Sequence, residues 1–200
     1  MKTLLALAAV CAAAVTVSAQ EKMEAQQIQK AVPLLLGHVD KLTGLQFKVD
    51  PDREKGDGLQ AGGAAALVLP ARGLTAEKLE KAGKDVVPVG QIYFKGLAPA
   101  KNGKPTDNDR MHILMIEDGG KAQRIWLCLL GARKNGEKLE LVVYGSEKTP
   151  IIQVAMRKFE SATDAPIEIS GEKQDDQSGN LTLSILGKYK ASFVVMKQEE

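Results

Sequence analysis

Residues 124–131, RIWLCLLG, carry apolar side chains at almost every position. Successive side chains of a β-strand point to opposite faces, so the apolar residues of this segment form two sets. The sets are Ile125, Leu127 and Leu129 on one face and Trp126, Cys128 and Leu130 on the other. A strand that is apolar on both faces is covered on both sides, which places it at the centre of a layered β fold. Residues 139–145, LELVVYG, show nearly the same pattern, and we expect these two strands to form the core.

Short β-like segments recur through the rest of the chain, with turn residues between them. Besides the two core strands, we expect strands near residues 45–49, 64–70, 86–96, 110–117, 150–159, 165–170, 180–186 and 189–196. The Asn135-Gly136 pair between two apolar runs predicts a hairpin. Residues 150–159 also fit a helix, and we prefer a strand because their neighbours are strands. Residues 51–63 and 97–109 are rich in turn residues and are predicted to be loops.

The alternation in the last two strands predicts the length of the loop between them. The apolar sets that share a face in each strand are Leu181, Leu183, Ile185 and Tyr189, Ala191, Phe193, Val195. A two-residue turn puts these sets on opposite faces, because a register shift of one residue turns a strand over. A three-residue loop, 186–188, pairs Ile185 with Tyr189 and puts both sets on one face. We predict the three-residue loop.

Two helical segments are expected outside the strands. Residues 20–42 begin with helix formers and a weak apolar stripe, and Pro33 predicts that any helix ends or restarts there. Residues 74–84, LTAEKLEKAGK, predict one small helix near 75–82 with Thr75 as its N-cap. Together the elements favour a mostly β fold. We expect a single β-sandwich-like, or partly open barrel, domain over residues 43–197, preceded by a short helical or extended segment over 20–42.

Residues 1–19 have the pattern of a removable signal peptide. Lys2 is followed by an uncharged stretch rich in leucine, alanine and valine, and VSA at 17–19 resembles a cleavage site. The stretch is shorter than the roughly 20 residues that a transmembrane helix needs. Cys11 lies inside it and follows a valine, so we interpret Cys11 as part of the leader rather than as a lipid-modified residue. We therefore expect an exported protein, periplasmic or extracellular.

Charge and cysteine content narrow the classes of partner. Lysines and arginines number 27 against 25 aspartates and glutamates, and they are interleaved, so no basic face is expected and nucleic-acid binding is disfavoured. No second apolar stretch is long enough for a membrane span. Cys128 is the one cysteine after the leader, so packing rather than an intramolecular disulfide must hold the domain together.

Candidate catalytic groups are few. Cys128 lies in an apolar strand, where a thiol is a small hydrophobic group with a raised pKa. His112 lies in another predicted strand, and it would approach Cys128 if the two strands pair. We favour a buried thiol and a structural histidine, so no catalytic or cofactor-binding residue is assigned. A hydrolase that uses carboxylates or His112 is the alternative, because carboxylates distant in sequence can converge in space.

Calcium is the metal that the sequence favours over zinc. Asp50, Asp52 and Glu54 alternate, and oxygen donors with this spacing suit a hard cation, although the EF-hand positions are not filled. Asp107 with Asp109, and Asp175 with Asp176, mark two further acidic loops. Two histidines and one cysteine beyond the leader are too few for the usual zinc sites. Ordinary solvated loops are the interpretation that we prefer to a calcium site.

We therefore expect an exported, non-catalytic β-domain that binds an unknown protein or envelope component or serves as a scaffold. The secreted hydrolase is one alternative. A β-barrel that binds a small ligand is another, and it requires a cavity. Tyr93 is the aromatic residue that the strand pattern places at the surface, where it would be the best candidate for carbohydrate stacking.

Overall fold

The doubly apolar segment lies in the strand at the centre of the larger of two antiparallel sheets. The computed structural model describes residues 20–118, 120–163 and 165–198. The larger sheet contains β1 (Glu21–Lys22), β2 (Asp57–Ala61), β3 (Ala64–Pro70), β4 (Val87–Lys95), β7 (His112–Asp118), β8 (Lys121–Asn135), β9 (Lys138–Tyr144) and β10 (Ile152–Ala155). The second sheet contains β5 (Leu97–Lys101), β6 (Lys104–Pro105), β11 (Arg157–Lys158), β12 (Ile167–Lys173), β13 (Ser178–Ile185) and β14 (Tyr189–Lys197).

The central strand β8 is buried on both faces, as its sequence predicts. It pairs with β4 along one edge and with β7 and then β9 along the other. Trp126 and Cys128 face the second sheet and pack in the core between the sheets. Leu127 and Leu129 face the opposite way, into a second apolar layer beneath a helix. The architecture is therefore a β-sandwich whose larger sheet is curled like a half-barrel, with a helix on its outer face.

The helix α1 (Ala25–Val39) covers the outer face of the larger sheet. It continues through Pro33, so the prediction that a helix ends or restarts there is wrong. The proline removes one backbone hydrogen bond and faces solvent. The buried stripe of the helix lies on both sides of it and includes Ile28, Val32, Leu35, Leu36 and Val39. Packing of this stripe against the sheet outweighs the lost hydrogen bond, because burial of each such side chain stabilises the fold by about 1.5–3 kcal/mol.

The short helix α2 (Ala76–Glu80) closes one end of the sandwich. Thr75 Oγ1 accepts a hydrogen bond from the Lys78 amide at 3.3 Å, which confirms the predicted N-cap. Leu79 is fully buried in the core between the sheets, and the Lys134 amide donates to the carbonyl oxygen of Gly83. At the opposite end, where β4 ends and β13 begins, no helix within the described residues covers the core.

The two long seams between the sheets are closed in different ways. Along one seam the main chain bends from β10 in the larger sheet to β11 in the second, with Met156 at the corner. Along the other seam, Lys22 and Asp57 form an ion pair and both bind the main chain of Ile169 in β12. The Ile169 amide donates to Asp57 Oδ2 at 2.8 Å, and Lys22 Nζ donates to the Ile169 carbonyl oxygen at 2.7 Å. We call Lys22, Asp57 and Ile169 the clasp.

Several predicted elements are confirmed. Ile185 pairs with Tyr189 across a three-residue loop, in which Leu186 and Gly187 have positive φ angles. The Asn135-Gly136 hairpin joins β8 to β9, with Gly136 at φ 62°. Residues within 150–159 form β10 and β11 rather than a helix.

Three further predictions about secondary structure are wrong. Residues 45–49 alternate like a strand but have no partner strand, and their apolar side chains instead pack against the layer beneath α1. Residues 51–63 contain β2, and residues 97–109 contain β5 and β6, although both were predicted to be loops. Glycine, alanine and proline in these segments conceal strands that are held by pairing with their neighbours rather than by β propensity.

Candidate functional site

A cavity of about 330 Å³ opens at the end of the sandwich opposite α2. We call it the end pocket. Its apolar walls come from both sheets, because the inward-facing side chains at this end are not covered by a helix. They are Leu59, Ala61, Ala64, Ala66, Leu97, Leu181 and Val195. The end pocket is therefore a cavity lined by residues of the core between the sheets, and it is reached from solvent at the β2–β3 and β12–β13 connections.

Polar residues of the β12–β13 loop form the rim of the end pocket. Asp175 Oδ1 accepts hydrogen bonds from the amides of Gln177 at 2.8 Å and Ser178 at 2.6 Å. Lys173 Nζ donates to Asp176 Oδ1 at 2.6 Å. The hydrogen bond from the Gln177 amide is the main cause of the lowered pKa of Asp175, and the hydrogen bond from Lys173 is the main cause of the lowered pKa of Asp176. Both carboxylates are thus held in the charged form by their own loop.

A second cavity, of about 410 Å³, lies between α1 and the outer face of the larger sheet. We call it the helix groove. Its apolar floor includes Leu35, Leu67, Ile116 and Ile125, and three glutamines, Gln27, Gln60 and Gln123, also line the groove. Lys30 of α1 and Lys95 at the end of β4 stand beside this floor, and none of the described residues that line the groove is acidic.

The β2–β3 hairpin separates the two cavities. Ala66 packs in the core between the sheets, whereas Leu67 packs in the layer beneath α1. Side chains of β3 alternate between faces, so Ala64 and Ala66 face the end pocket and Leu67 faces the helix groove, while Ala65 borders both cavities. One short hairpin therefore presents a wall to each cavity.

The structure does not bring the candidate nucleophile and base together. His112 pairs with Leu127, and paired residues of an antiparallel ladder point to the same face. Cys128 is the next residue along β8, so its side chain points to the opposite face, into the core. Burial raises the pKa of Cys128 to about 12. Burial also lowers the pKa of His112, and a hydrogen bond with the backbone of Gly145 opposes that shift more weakly.

The three calcium candidates lie in the loop before β2, and the carboxylates of Asp50 and Asp52 bind different partners. Asp50 pairs with Arg72, with Oδ2 at 3.2 Å from Nε, and its carbonyl oxygen accepts a hydrogen bond from the Arg72 amide. Asp52 Oδ1 accepts from the amide of Glu54 at 3.2 Å. Among the described residues no three histidine, cysteine, aspartate or glutamate side chains are grouped so that they could hold a metal ion. Calcium binding by this loop stays a prediction.

Tyr93 is not a surface aromatic residue, so that prediction is wrong. Its side chain is only 2% exposed because it faces the layer beneath α1, and its hydroxyl donates to Gln91 Oε1 at 2.5 Å. Burial, with a smaller effect of the nearby charge of Asp40, raises its pKa. The strand pattern identified the outer face of β4 but gave no sign that a helix covers it.

The residues of both cavities were missed in the sequence, apart from the acidic loop at 175–176 and Tyr93, which lines the helix groove although it was expected at the surface. Their apolar walls come from elements that are distant in the chain, and each wall residue alone is typical of an ordinary strand or helix. For the end pocket, a usable signal is the lack of a second helix-forming segment to cover the other end of the sandwich. For the helix groove, it is the positive charge of Lys30 within a helix that is otherwise uncharged over residues 25–37.

Comparison with protein-family models, with curated proteins and with solved structures finds nothing that matches this chain. The function therefore rests on the cavities and the chemistry of their residues. No helix among the described residues has both the length and the apolar character needed to cross a bilayer.

Proposed function

We propose that this protein is an exported, non-catalytic binding domain whose end pocket takes an apolar group of an envelope component or partner. The observation that carries the proposal is the open end of the sandwich. Inward-facing core side chains of both sheets, such as Leu59, Leu181 and Val195, line a cavity there, although each is at most 8% exposed. A bound apolar group would fill this cavity and contact the core, which α2 closes at the other end.

The size and lining of the end pocket support this function. Pockets for small molecules usually have volumes of about 300–1,000 Å³, apolar walls and a few polar groups at fixed positions. The end pocket has this volume and these walls. Its rim is stiffened by the hydrogen bonds of Asp175 and the ion pair of Asp176 with Lys173, so polar groups are already in place at the mouth.

The state of the rim carboxylates favours binding over acid catalysis. A general acid that works near neutral pH needs a raised pKa, as burial or a second carboxylate would provide. Asp175 and Asp176 are exposed, and hydrogen bonds lower the pKa of each. Both are therefore anionic rim groups that can orient a ligand, and neither is adjusted to donate a proton.

Titration with an uncharged apolar dye, N-phenylnaphthylamine, tests the proposal. Ala64→Leu narrows the end pocket at a half-buried wall position, and Ala155→Leu is the control at an exposed position of β10. We expect Ala64→Leu to weaken dye binding about tenfold, the loss that follows when roughly two methylene groups are no longer buried. The control should bind like the wild type. Equal binding by both variants, with both still folded by circular dichroism, would sink the proposal.

A protein partner bound along β7 is the second candidate function. Within the described residues β7 pairs with β8 on one side only, and Ile113 and Met115 are 40% and 51% exposed on the face away from α1. Such an edge suits addition of a partner strand. A pull-down from the exported fraction with wild type, Met115→Lys and Ala64→Leu separates the candidates. A specific partner lost only with Met115→Lys supports β7, and one lost only with Ala64→Leu supports the end pocket.

A further inference from the structure

The helix groove combines an apolar floor with two lysines. The floor contains Leu35, Leu67 and Ile125, and Lys30 and Lys95 reach it from opposite sides, one from α1 and one from the sheet. A lysine places its aliphatic stem along apolar surface and keeps its ammonium group in water. The groove therefore offers apolar surface beside two positive charges.

Neither lysine is neutralised by a described neighbour. No ion pair joins Lys30 or Lys95 to any residue in the part of the chain that the structure describes. Glu24, the acidic residue at the start of α1, is engaged in a capping box with Gln27. The positive charge beside the groove is thus available to a ligand.

We propose that the helix groove binds a long-chain carboxylate, with the alkyl chain along the apolar floor and the carboxylate between Lys30 and Lys95. Charge complementarity selects an anionic head group, because the groove has two cations and no acidic lining residue. The volume of about 410 Å³ is that of a small-molecule site, and α1 and the sheet enclose it on two sides. This enclosure favours a single alkyl chain over a partner helix, which needs a wider surface.

The ligand would also cover exposed apolar surface at the edge of the groove. Leu34 lines the groove and is 47% exposed, whereas the other large aliphatic side chains of α1 are buried. A bound alkyl chain would reduce this exposure. The site is separate from the end pocket, so this proposal does not depend on the proposed function above.

A comparison of the affinities of the full chain for palmitate, hexadecanol and myristate tests the proposal. The wild type should bind palmitate at least about tenfold more tightly than hexadecanol, which has the same chain without the charge. Myristate, which is shorter by two methylene groups, should bind about tenfold more weakly than palmitate. The preference for palmitate over hexadecanol should shrink as salt is raised, because both lysines are near solvent.

Paired variants locate the ligand. The double variant Lys30→Gln with Lys95→Gln should bind palmitate no better than hexadecanol. The double variant Lys84→Gln with Lys158→Gln removes the same charge from exposed positions elsewhere and should bind like the wild type. Ala31→Leu, a substitution that a helix tolerates, narrows the groove and should weaken palmitate binding, whereas Ala64→Leu should not.

Any one of the following results would overturn the proposal. These are equal affinities for palmitate and hexadecanol, equal behaviour of the two double variants, and no binding of palmitate. Weakening by Ala64→Leu but not by Ala31→Leu would place the alkyl chain in the end pocket, which overturns this inference while supporting the proposed function. If an acidic amphipathic helix binds in the groove and palmitate does not, the groove belongs to a protein partner instead.

Discussion

Asp57 and Lys22 substitute for a neighbouring strand at the edge of β12. The Ile169 amide and carbonyl groups face away from β13, and an unpaired backbone group at a strand edge invites association with other chains. The Asp57 carboxylate accepts from this amide, and the Lys22 ammonium group donates to this carbonyl. A single ion pair thus satisfies both polar groups of one residue and joins the two sheets.

Loss of the clasp should destabilise the protein. Asp57→Ala leaves the Ile169 amide without its acceptor and Lys22 without its counter-ion, and we expect the free energy of unfolding to fall by about 1–3 kcal/mol. Urea denaturation of this variant beside Asp85→Ala, an exposed aspartate in the loop before β4, measures the difference. If the two variants lose the same amount, the clasp contributes nothing specific.

Cys128 should be unreactive in the folded protein. It is fully buried in the core and burial raises its pKa to about 12, so the thiolate that reacts with alkylating agents is scarce and shielded. We expect no labelling by iodoacetamide over hours at pH 8, and complete labelling in guanidinium chloride. Fast labelling without denaturant would contradict the burial of β8.

Helix α1 contains a glycine that can be replaced with a gain in stability. Gly37 is exposed, and a Cβ atom added there meets no other atom within 4 Å. We expect Gly37→Ala to raise the free energy of unfolding by about 0.5–1 kcal/mol, because alanine loses less conformational freedom in a helix.

Gly145, at the end of β9, is the opposite case and serves as the comparison. A Cβ atom there would lie 1.8 Å from the Arg110 carbonyl oxygen. We expect Gly145→Ala to destabilise the protein by about 1–3 kcal/mol through overpacking. The midpoint temperature of thermal denaturation should therefore shift in opposite directions for the two variants. A shift in the same direction would contradict the surroundings described for one of the two glycines.

The sequence predicts elements best where a single strand carries its own pattern. The two apolar sets of β8 and the matched sets of β13 and β14 each admit one arrangement that buries them, and the structure has that arrangement. It predicts poorly where the outcome depends on a distant partner. Residues 45–49 alternate without finding a partner strand, and α1 continues through Pro33 because the sheet beneath it provides the packing.

One histidine, His112, should make the free energy of unfolding of the whole fold depend on pH. Burial lowers the pKa of His112 below its ordinary value of 6.5, so the unfolded chain binds a proton more readily than the folded one. The free energy of unfolding should therefore be highest above pH 6.5 and should fall as the pH drops through 6.5. It should level off below the pKa that His112 has in the folded protein.

Denaturation curves between pH 5 and pH 8 measure this effect. His112→Asn should flatten that part of the pH dependence. His38→Asn, at a partly exposed position in the last turn of α1, is the control for loss of the other histidine in the chain. A slope that survives in His112→Asn would assign the pH dependence to other groups.

The two cavities belong to the whole molecule rather than to any element. The end pocket exists because α2 covers one end of the sandwich and no described helix covers the other. The helix groove exists because α1 lies on the sheet with Lys30 and Lys95 left at its margin. Each cavity depends on how far the helices and the two sheets overlap. That overlap is a tertiary property, which the pattern of residues in one segment does not predict.

The clasp also sets an order of events in time. Its hydrogen bonds join residues 147 and 112 positions apart in the chain, and contacts between such distant residues form late and slowly. During synthesis, Lys22 and Asp57 are made long before Ile169. The strands of the larger sheet can therefore pair with one another before β12 has been synthesised. A chain that stops before residue 165 would keep the strands of that sheet but leave the seam open, and the end pocket would come into being only after β13 and β14 have been added.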